Sequence, residues 1–469
     1  MTDDGALHRA YQHAQAYLNT LPDRPVGPPV PAQTLTSLTG PLPEIGTDPA
    51  EVIDGLVRGA EPGLVASAGP RYFGFVIGGS LPAALAADWL TSAWDQNAAF
   101  YVSSPAAAVI EDVAASWVLD ILGLPATSSV GFVTGAMMAN FTALASARHE
   151  VLTRVGWDVE ERGLIGAPPV HVVIGEEAHV TITRSLGLLG LGRARVTRVP
   201  TDEQGRMRAG PLREALASHA GPTIVCAQAG NVNTGAFDPF AEIADAVRDR
   251  GAWLHIDGAF GLWAAASPAL RHLVSGASRA DSWALDAHKW LNVPYDNGIV
   301  VVAHPQSHRA AMSMTAAYLV RGSGDVRDPS DWVPESSRRA RGVTVYAALR
   351  TLGRRGVAGL VERDCGLAEY MADTLRQTSG IEILNEIVLN QVLVRFHPRG
   401  VGGADALTRA VISRVQQEGT CWTGGTTWHG LAAMRISVSG WSTTREDIAR
   451  SAAAITTAYE RERERVSGG

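Results

Sequence analysis

Along the chain the apolar positions fall into two rhythms. They recur at helical spacing over residues 5–20, 81–93 and 106–122, and Asp48-Pro49-Ala50-Glu51 has the N-cap and first-turn proline of another helix start. From about residue 130, short β-branched runs alternate with helical patterns: 130–133, 170–174, 195–199, 223–227, 252–256 and 298–302. Such alternation predicts an α/β domain with a mostly parallel sheet. After about residue 345 the pattern predicts a helix, a strand over 387–396, a second helix, a strand over 434–438 and a final helix. Thr443-Thr444-Arg445-Glu446 fits a capping box for that last helix. The expected organisation is therefore an N-terminal arm over 1–75, a large domain over 76–340 and a small α+β domain over 341–469.

Two stretches stand outside this pattern. Residues 22–43 carry seven of the 25 prolines, which predicts an extended connection. Residues 318–337 are polar and glycine-containing and predict a long loop, either a lid or a surface connection.

Composition narrows the classes. Of the 469 residues 46% are hydrophobic and 19% charged, and the net charge is −7, a balance suited to a soluble protein with a large core. A nucleic-acid binder would show a basic excess. No stretch approaches the roughly 20 apolar residues that cross a bilayer. The N-terminus lacks an apolar h-region. No membrane partner and a cytoplasmic location are expected. Cys226, Cys365 and Cys421 have no CxxC spacing, and the 13 histidines show no HExxH, so no metal site is expected.

The basic residues carry the sharpest signal: 39 are arginine and one is lysine, Lys289. Guanidinium cannot condense with a carbonyl, whereas a desolvated lysine amine forms a Schiff base. Chance survival of one lysine is the alternative, and context decides between them. Gly131-Phe132-Val133-Thr134-Gly135-Ala136-Met137-Met138-Ala139-Asn140 is a strand, a small-residue turn and a helical pattern, which offers N–H groups to a phosphate, although small residues also let a helix pack closely. His179 ends a short turn after a strand, where it could stack on a planar ring, act as acid or base, or serve structure alone. Asp257 ends the apolar strand Trp253-Leu254-His255-Ile256, at the sheet edge where α/β folds bind ligands. Its partner could be a pyridinium nitrogen, an arginine or a helix N-terminus. Lys289 follows 32 residues later in Asp286-Ala287-His288-Lys289-Trp290. Phosphate cradle, stacking histidine, carboxylate and lysine are together the parts that hold pyridoxal 5′-phosphate (PLP).

From about residue 65 to the last helix the chain resembles the group II PLP-dependent decarboxylases, which include the aromatic-amino-acid and glutamate decarboxylases. Asp286-Ala287-His288-Lys289-Trp290 matches the family's (D/N)-x-H-K-W pattern, and His255-Ile256-Asp257-Gly258-Ala259 stands at the usual distance upstream. The resemblance implies the aspartate-aminotransferase-like fold type I, with a PLP-binding large domain and an N-terminal segment that helps form a homodimer with shared active sites. It implies Lys289 as the Schiff-base lysine, Asp257 on the pyridine nitrogen and His179 stacked on the ring. Ala136, Met137, Asp286 and His288 would surround the phosphate, Ala259 would lie beneath the ring and Asn231 would contact the cofactor. Tyr318 matches the loop tyrosine that donates a proton, and Arg435 matches an arginine that steers a carboxylate.

Phe75, Val76, Asn97 and Arg435 are the expected substrate-binding residues. The chain departs from the family at Met137 and at Gly230-Asn231-Val232, where hydroxyl contacts to the cofactor are lost, and at Val76, Gly78, Asn97 and Ala99, where aromatic decarboxylases place bulky rings. The implied reaction is decarboxylation of an L-amino acid to an amine. The alternatives are decarboxylation with oxidative deamination to an aldehyde, or a catalytically silent dimeric scaffold.

Overall fold

The computed structural model describes residues 4–27, 30–314, 327–398 and 402–467. It divides into two compact units: residues 78–369 with 385–392, and residues 1–77 with 370–384 and 393–469. The N-terminal segment thus groups with the C-terminal one. The division falls inside the long helix Gly342–Arg376, which Gly353 interrupts at φ 61°.

The larger unit is built on seven strands: β1 (Ser129–Val133), β2 (His171–Gly175), β3 (Val196–Val199), β4 (Thr223–Gln228), β5 (Trp253–Asp257), β6 (Ser282–Asp286) and β7 (Gly298–Val302). Their order is β1-β7-β6-β5-β4-β2-β3. The pairs among β2 to β6 are parallel, and β7 runs antiparallel to both β6 and β1. β1, β4, β5, β6 and β7 are buried along their whole length, which is why apolar runs such as Ile299-Val300-Val301-Val302 do not alternate. Helix Ala136–Thr153 lies across the sheet, sharing a core with β1, β2, β4, β7 and helix Val180–Leu188. This is the expected mostly parallel α/β architecture. One strand, β6, was not expected from the pattern, because its five residues have polar ends and only Trp283-Ala284-Leu285 between them.

The smaller unit carries β8 (Ile381–Ile383), β9 (Gln391–Phe396), β10 (Gly424–Trp428) and β11 (Leu431–Ser437) in the order β10-β11-β9-β8. Its N- and C-terminal segments are tied by Arg71, which donates to Pro22 O at 2.7 Å and Thr420 O at 2.8 Å and pairs with Asp447 at 3.2 Å. Asp48 caps its helix as expected, accepting from Ala50 and Glu51. The last capping box sits one residue later than expected. Thr444 Oγ1 accepts from Asp447 N–H, while Asp447 accepts from Thr444 N–H. Thr443 is instead occupied, its hydroxyl donating to Pro70 O. Within the proline-rich arm, 3-10 turns form over Ala32–Leu38. No helix among the described residues is long and apolar enough to cross a membrane.

Candidate active site

The carboxyl ends of β5 and β6 are parallel neighbours, so the sheet brings Asp257 and Asp286 to one edge. The helix that follows β1 meets both. At its first residue, Ala136 N–H donates to Asp286 Oδ1 at 2.5 Å, and one turn later Asn140 Nδ2 donates to Asp257 Oδ2 at 3.1 Å. Its N-cap, Gly135, has no side chain to offer the N–H groups of the first turn. A Cβ there would lie 3.1 Å from His288 Cε1 and 3.2 Å from Asp286 Oδ1, and one on Gly298 would lie 2.4 Å from Gly135 backbone. Two glycines thus let turn, strand and Asp286 approach.

Lys289 Nζ lies 2.9 Å from Asp286 Oδ2, and His288 Nε2 lies 3.2 Å from Asp286 Oδ1. Asn297 N–H donates to His288 Nδ1 at 3.0 Å, which leaves the ring proton on Nε2, facing Asp286. Burial pushes the His288 pKa down, so the ring is neutral near pH 7. Tyr295 stacks on it at 4.3 Å. The chain beyond the lysine is anchored by Trp290 Nε1 on Asp364, 2.9 Å, and by the left-handed Asn292, φ 55°, whose amide donates to Trp290 O.

Asp257 is 4% exposed and accepts from Asn140, from Thr181 Oγ1 at 3.4 Å and from Ala259 N–H at 3.2 Å. Among the described residues no arginine or lysine pairs with it. A buried carboxylate without a cation is costly, and a cationic group bound in the site would offset that cost. His179 Nδ1 sits 2.8 Å from Thr181 Oγ1, so one threonine joins His179 to Asp257. His179 N–H is held by Gln228 Oε1. Asn231 is 1% exposed, and its Nδ2 is buried without a partner, a donor available to a cofactor oxygen. These residues fit PLP. Asp286 accepts only, so towards a phosphate it can organise N–H donors but donate none.

The structure therefore groups Lys289, Asp286, His288 and Ala136, and groups His179, Asp257 and Ala259. Met137 lies beside Ala136, its carbonyl accepting from Ser185. Asn97 is exposed, and its Oδ1 accepts from Arg338 N–H. Phe75, Val76 and Arg435 belong to the smaller unit. Phe75 and Val76 hold φ of 54° and 59°, and Phe75 lies against Trp422. Burial pushes the Arg435 pKa down. Tyr318 and residues up to 326 of the expected loop at 318–337 lie outside the described residues, and the described remainder carries a 3-10 turn over Pro329–Trp332. Sequence reasoning gave Asn140 no role beyond its place in the helix start and missed Thr181, Gln228 and Tyr295. Only Asn140 had a signal, standing four residues, one helical turn, after Ala136.

Residues 31–397 match the model of the pyridoxal-dependent decarboxylase conserved domain, and the chain belongs to that family. It is a PLP-dependent carboxy-lyase by class, and PLP is its cofactor. It is 27% identical over 442 residues to an aromatic-L-amino-acid decarboxylase of Bacillus atrophaeus, covering 92% of this chain and 90% of that one. It is 28% identical over 448 residues to 4-hydroxyphenylacetaldehyde synthase of Rhodiola rosea, covering 92% and 89%. A crystal structure of Oryza sativa TDC with PLP and tryptamine superposes with TM-score 0.91 at 24% identity, over 98% of both chains, which establishes the fold.

Proposed function

We propose that this protein decarboxylates an L-amino acid to the corresponding primary amine and CO2, with Lys289 as the amine that binds the cofactor carbonyl. The observation that carries this reading is the pairing of two features at one sheet edge. One is the chain's only lysine, held by Asp286, and the other is a buried carboxylate, Asp257, with no cation among the described residues. When bound, the cofactor supplies an electron-accepting ring for the pair left at Cα as CO2 departs.

The remaining work falls to the chain. Asp257, fixed by three donors, keeps a negative charge aimed at the ring nitrogen in a dry site, where preorganised charge is most effective. His179 is held at its backbone by Gln228 and at its ring by Thr181, a fixed face on which a planar ring can lie. Asp286 orients Ala136 N–H, the His288 Nε2 proton and Lys289 in one cluster, and Met137, Ala259 and Asn231 complete the cofactor contacts. Tyr318 is assigned to protonate Cα and Arg435 to bind a carboxylate, both on the family resemblance. Exposed apolar side chains on the N-terminal helix, Leu7 and Leu18, and on helix Pro82–Trp94, Leu90 and Trp94, support a homodimer. We assign the protein to the cytoplasm.

The test is to incubate PLP-loaded protein with each proteinogenic L-amino acid and identify products by mass spectrometry, with Lys289→Arg as control. An amine with CO2 from one or a few of them is expected. An aldehyde would move the reaction to the branch that the Rhodiola relative's name denotes, and no product from any of them would point to a specialised, non-proteinogenic substrate or to the scaffold.

A further inference from the structure

Behind Asp257 a line of polar side chains runs into the core of the larger unit. Trp253 Nε1 donates to Ser282 Oγ at 2.9 Å, and Ser282 Oγ lies 2.9 Å from His255 Nδ1. His255 Nε2 lies 2.8 Å from Asn140 Oδ1, and Asn140 Nδ2 donates to Asp257 Oδ2 at 3.1 Å. Trp253, Ser282, His255 and Asn140 are all 0% exposed. Trp253, His255 and Asp257 alternate along β5, so they share one face of the strand.

The carboxylate end and a neutral imidazole together set the protons in the line. An indole N–H only donates, so Ser282 Oγ accepts from Trp253, and its own proton goes to His255 Nδ1 when the ring is neutral with its proton on Nε2. A carboxylate only accepts, so Asn140 gives its amide N–H to Asp257 and faces His255 with its carbonyl. That carbonyl needs the Nε2 proton. His255 is therefore a neutral ring protonated on Nε2, and burial, which pushes its pKa down to about 4, favours the same state. All four bonds donate in the direction of the carboxylate, an arrangement in which each bond polarises the next.

We propose that Trp253, Ser282, His255 and Asn140 form a positioning relay that holds the Asp257 carboxylate in its aim, so that the site selects a cofactor ring carrying a protonated nitrogen. None of the four needs to touch the cofactor. The inference rests on the assignment of Asp257 to the ring nitrogen made above. An apolar core could fill the same space, but it would leave the Asp257 Oδ2 lone pair with Thr181 alone.

The experiment compares two probes on the apoprotein by equilibrium binding: PLP, and 1-deaza-PLP, in which C–H replaces the ring nitrogen while phosphate, hydroxyl and aldehyde remain. A merely structural role would weaken both equally. The relay predicts that Asn140→Leu and His255→Phe each weaken PLP about tenfold, the scale of one hydrogen bond to a charged group, and leave 1-deaza-PLP within about twofold. His255→Gln can still accept from Ser282 and donate to Asn140, and is expected to restore most of the loss. Ser282→Ala, the mildest change, is expected to weaken PLP alone by about threefold and serves if the larger changes prevent folding. Equal weakening of both probes, or no weakening of PLP, overturns the relay. Asp257→Asn separates the two readings. If it does not discriminate between the probes, the ring-nitrogen assignment fails and takes the relay with it. If it discriminates and the relay variants do not, only the relay fails.

Discussion

Replacing Gly298 with alanine puts one methyl group against the backbone of Gly135. The added Cβ would lie 2.4 Å from Gly135 Cα and carbonyl carbon and 2.7 Å from its oxygen, roughly 1 Å inside normal contact. No side chain can rotate away, because the clash is with main chain. Gly298 stands opposite Val133 on β1 and Asp286 on β6, so the strain is relieved by moving the turn that carries Ala136. A shift of about 1 Å takes the Ala136 N–H from 2.5 Å to about 3.5 Å from Asp286 and breaks the bond. Overpacking costs about 1–3 kcal/mol, and the lost hydrogen bond to a charged acceptor about 1.5–3 kcal/mol, less whatever relaxation recovers. The expected result is an apoprotein destabilised by about 2–4 kcal/mol in urea unfolding and cofactor affinity about thirtyfold weaker. Gly359→Ala is the control, since a Cβ there meets nothing within 4 Å inside a helix. If Gly298→Ala unfolds within about 0.5 kcal/mol of the parent and binds PLP equally well, the close approach of turn and strand is not what forms the cradle.

Two further perturbations probe the core. Arg338 and Glu111 form an ion pair at 2.8 Å with side chains 0% and 2% exposed, and Arg338 also donates to Ala98 O and Phe132 O. Glu111→Gln leaves that guanidinium uncompensated and should lower stability by about 3–5 kcal/mol in a denaturant melt, whereas an effect below about 1 kcal/mol would mean that water reaches the pair. His255, fully buried and pushed down to about 4, binds its proton less readily folded than unfolded. Its contribution is complete above about pH 6.5 and is lost as pH falls towards 4, about 3 kcal/mol in all. The stability difference between His255→Gln and the parent should therefore shift in favour of the variant across that window. A difference independent of pH across that window would show that His255 takes up its proton in the fold as readily as in the unfolded chain.

How much of this was legible beforehand follows from the range of each contact. The strands of the large sheet were readable because a strand buried on both faces needs an unbroken β-branched run, as in β4 and β7. β6 was not, since the polar side chains at its ends, Ser282 and Asp286, are satisfied by Trp253, His255 and Ala136 N–H from distant parts of the chain rather than marked by its own pattern. The capping box slipped by one because Thr443 and Thr444 are locally equivalent, and only the bond from Thr443 to Pro70 separates them. Lys289 was visible through its uniqueness, and Asp257 through its place at a strand end. Asn140, Thr181 and Ser282 act through partners 117, 76 and 27 residues away, distances at which spacing carries no information without the sheet order. The grouping of the two termini likewise depends on contacts between segments far apart in the chain, such as Arg71 with Thr420 and Asp447 and Phe73 N–H with Trp422 O.

The central claim is that Lys289 is the amine that binds the cofactor carbonyl, and the chain's composition makes it unusually direct to test. Borohydride reduction of the PLP-loaded protein, followed by peptide mapping, should place one phosphopyridoxyl group per chain, on the peptide containing Lys289 and nowhere else. Because no other lysine competes, label on another nucleophile such as the N-terminal amine, or no label with cofactor still bound, would contradict the account.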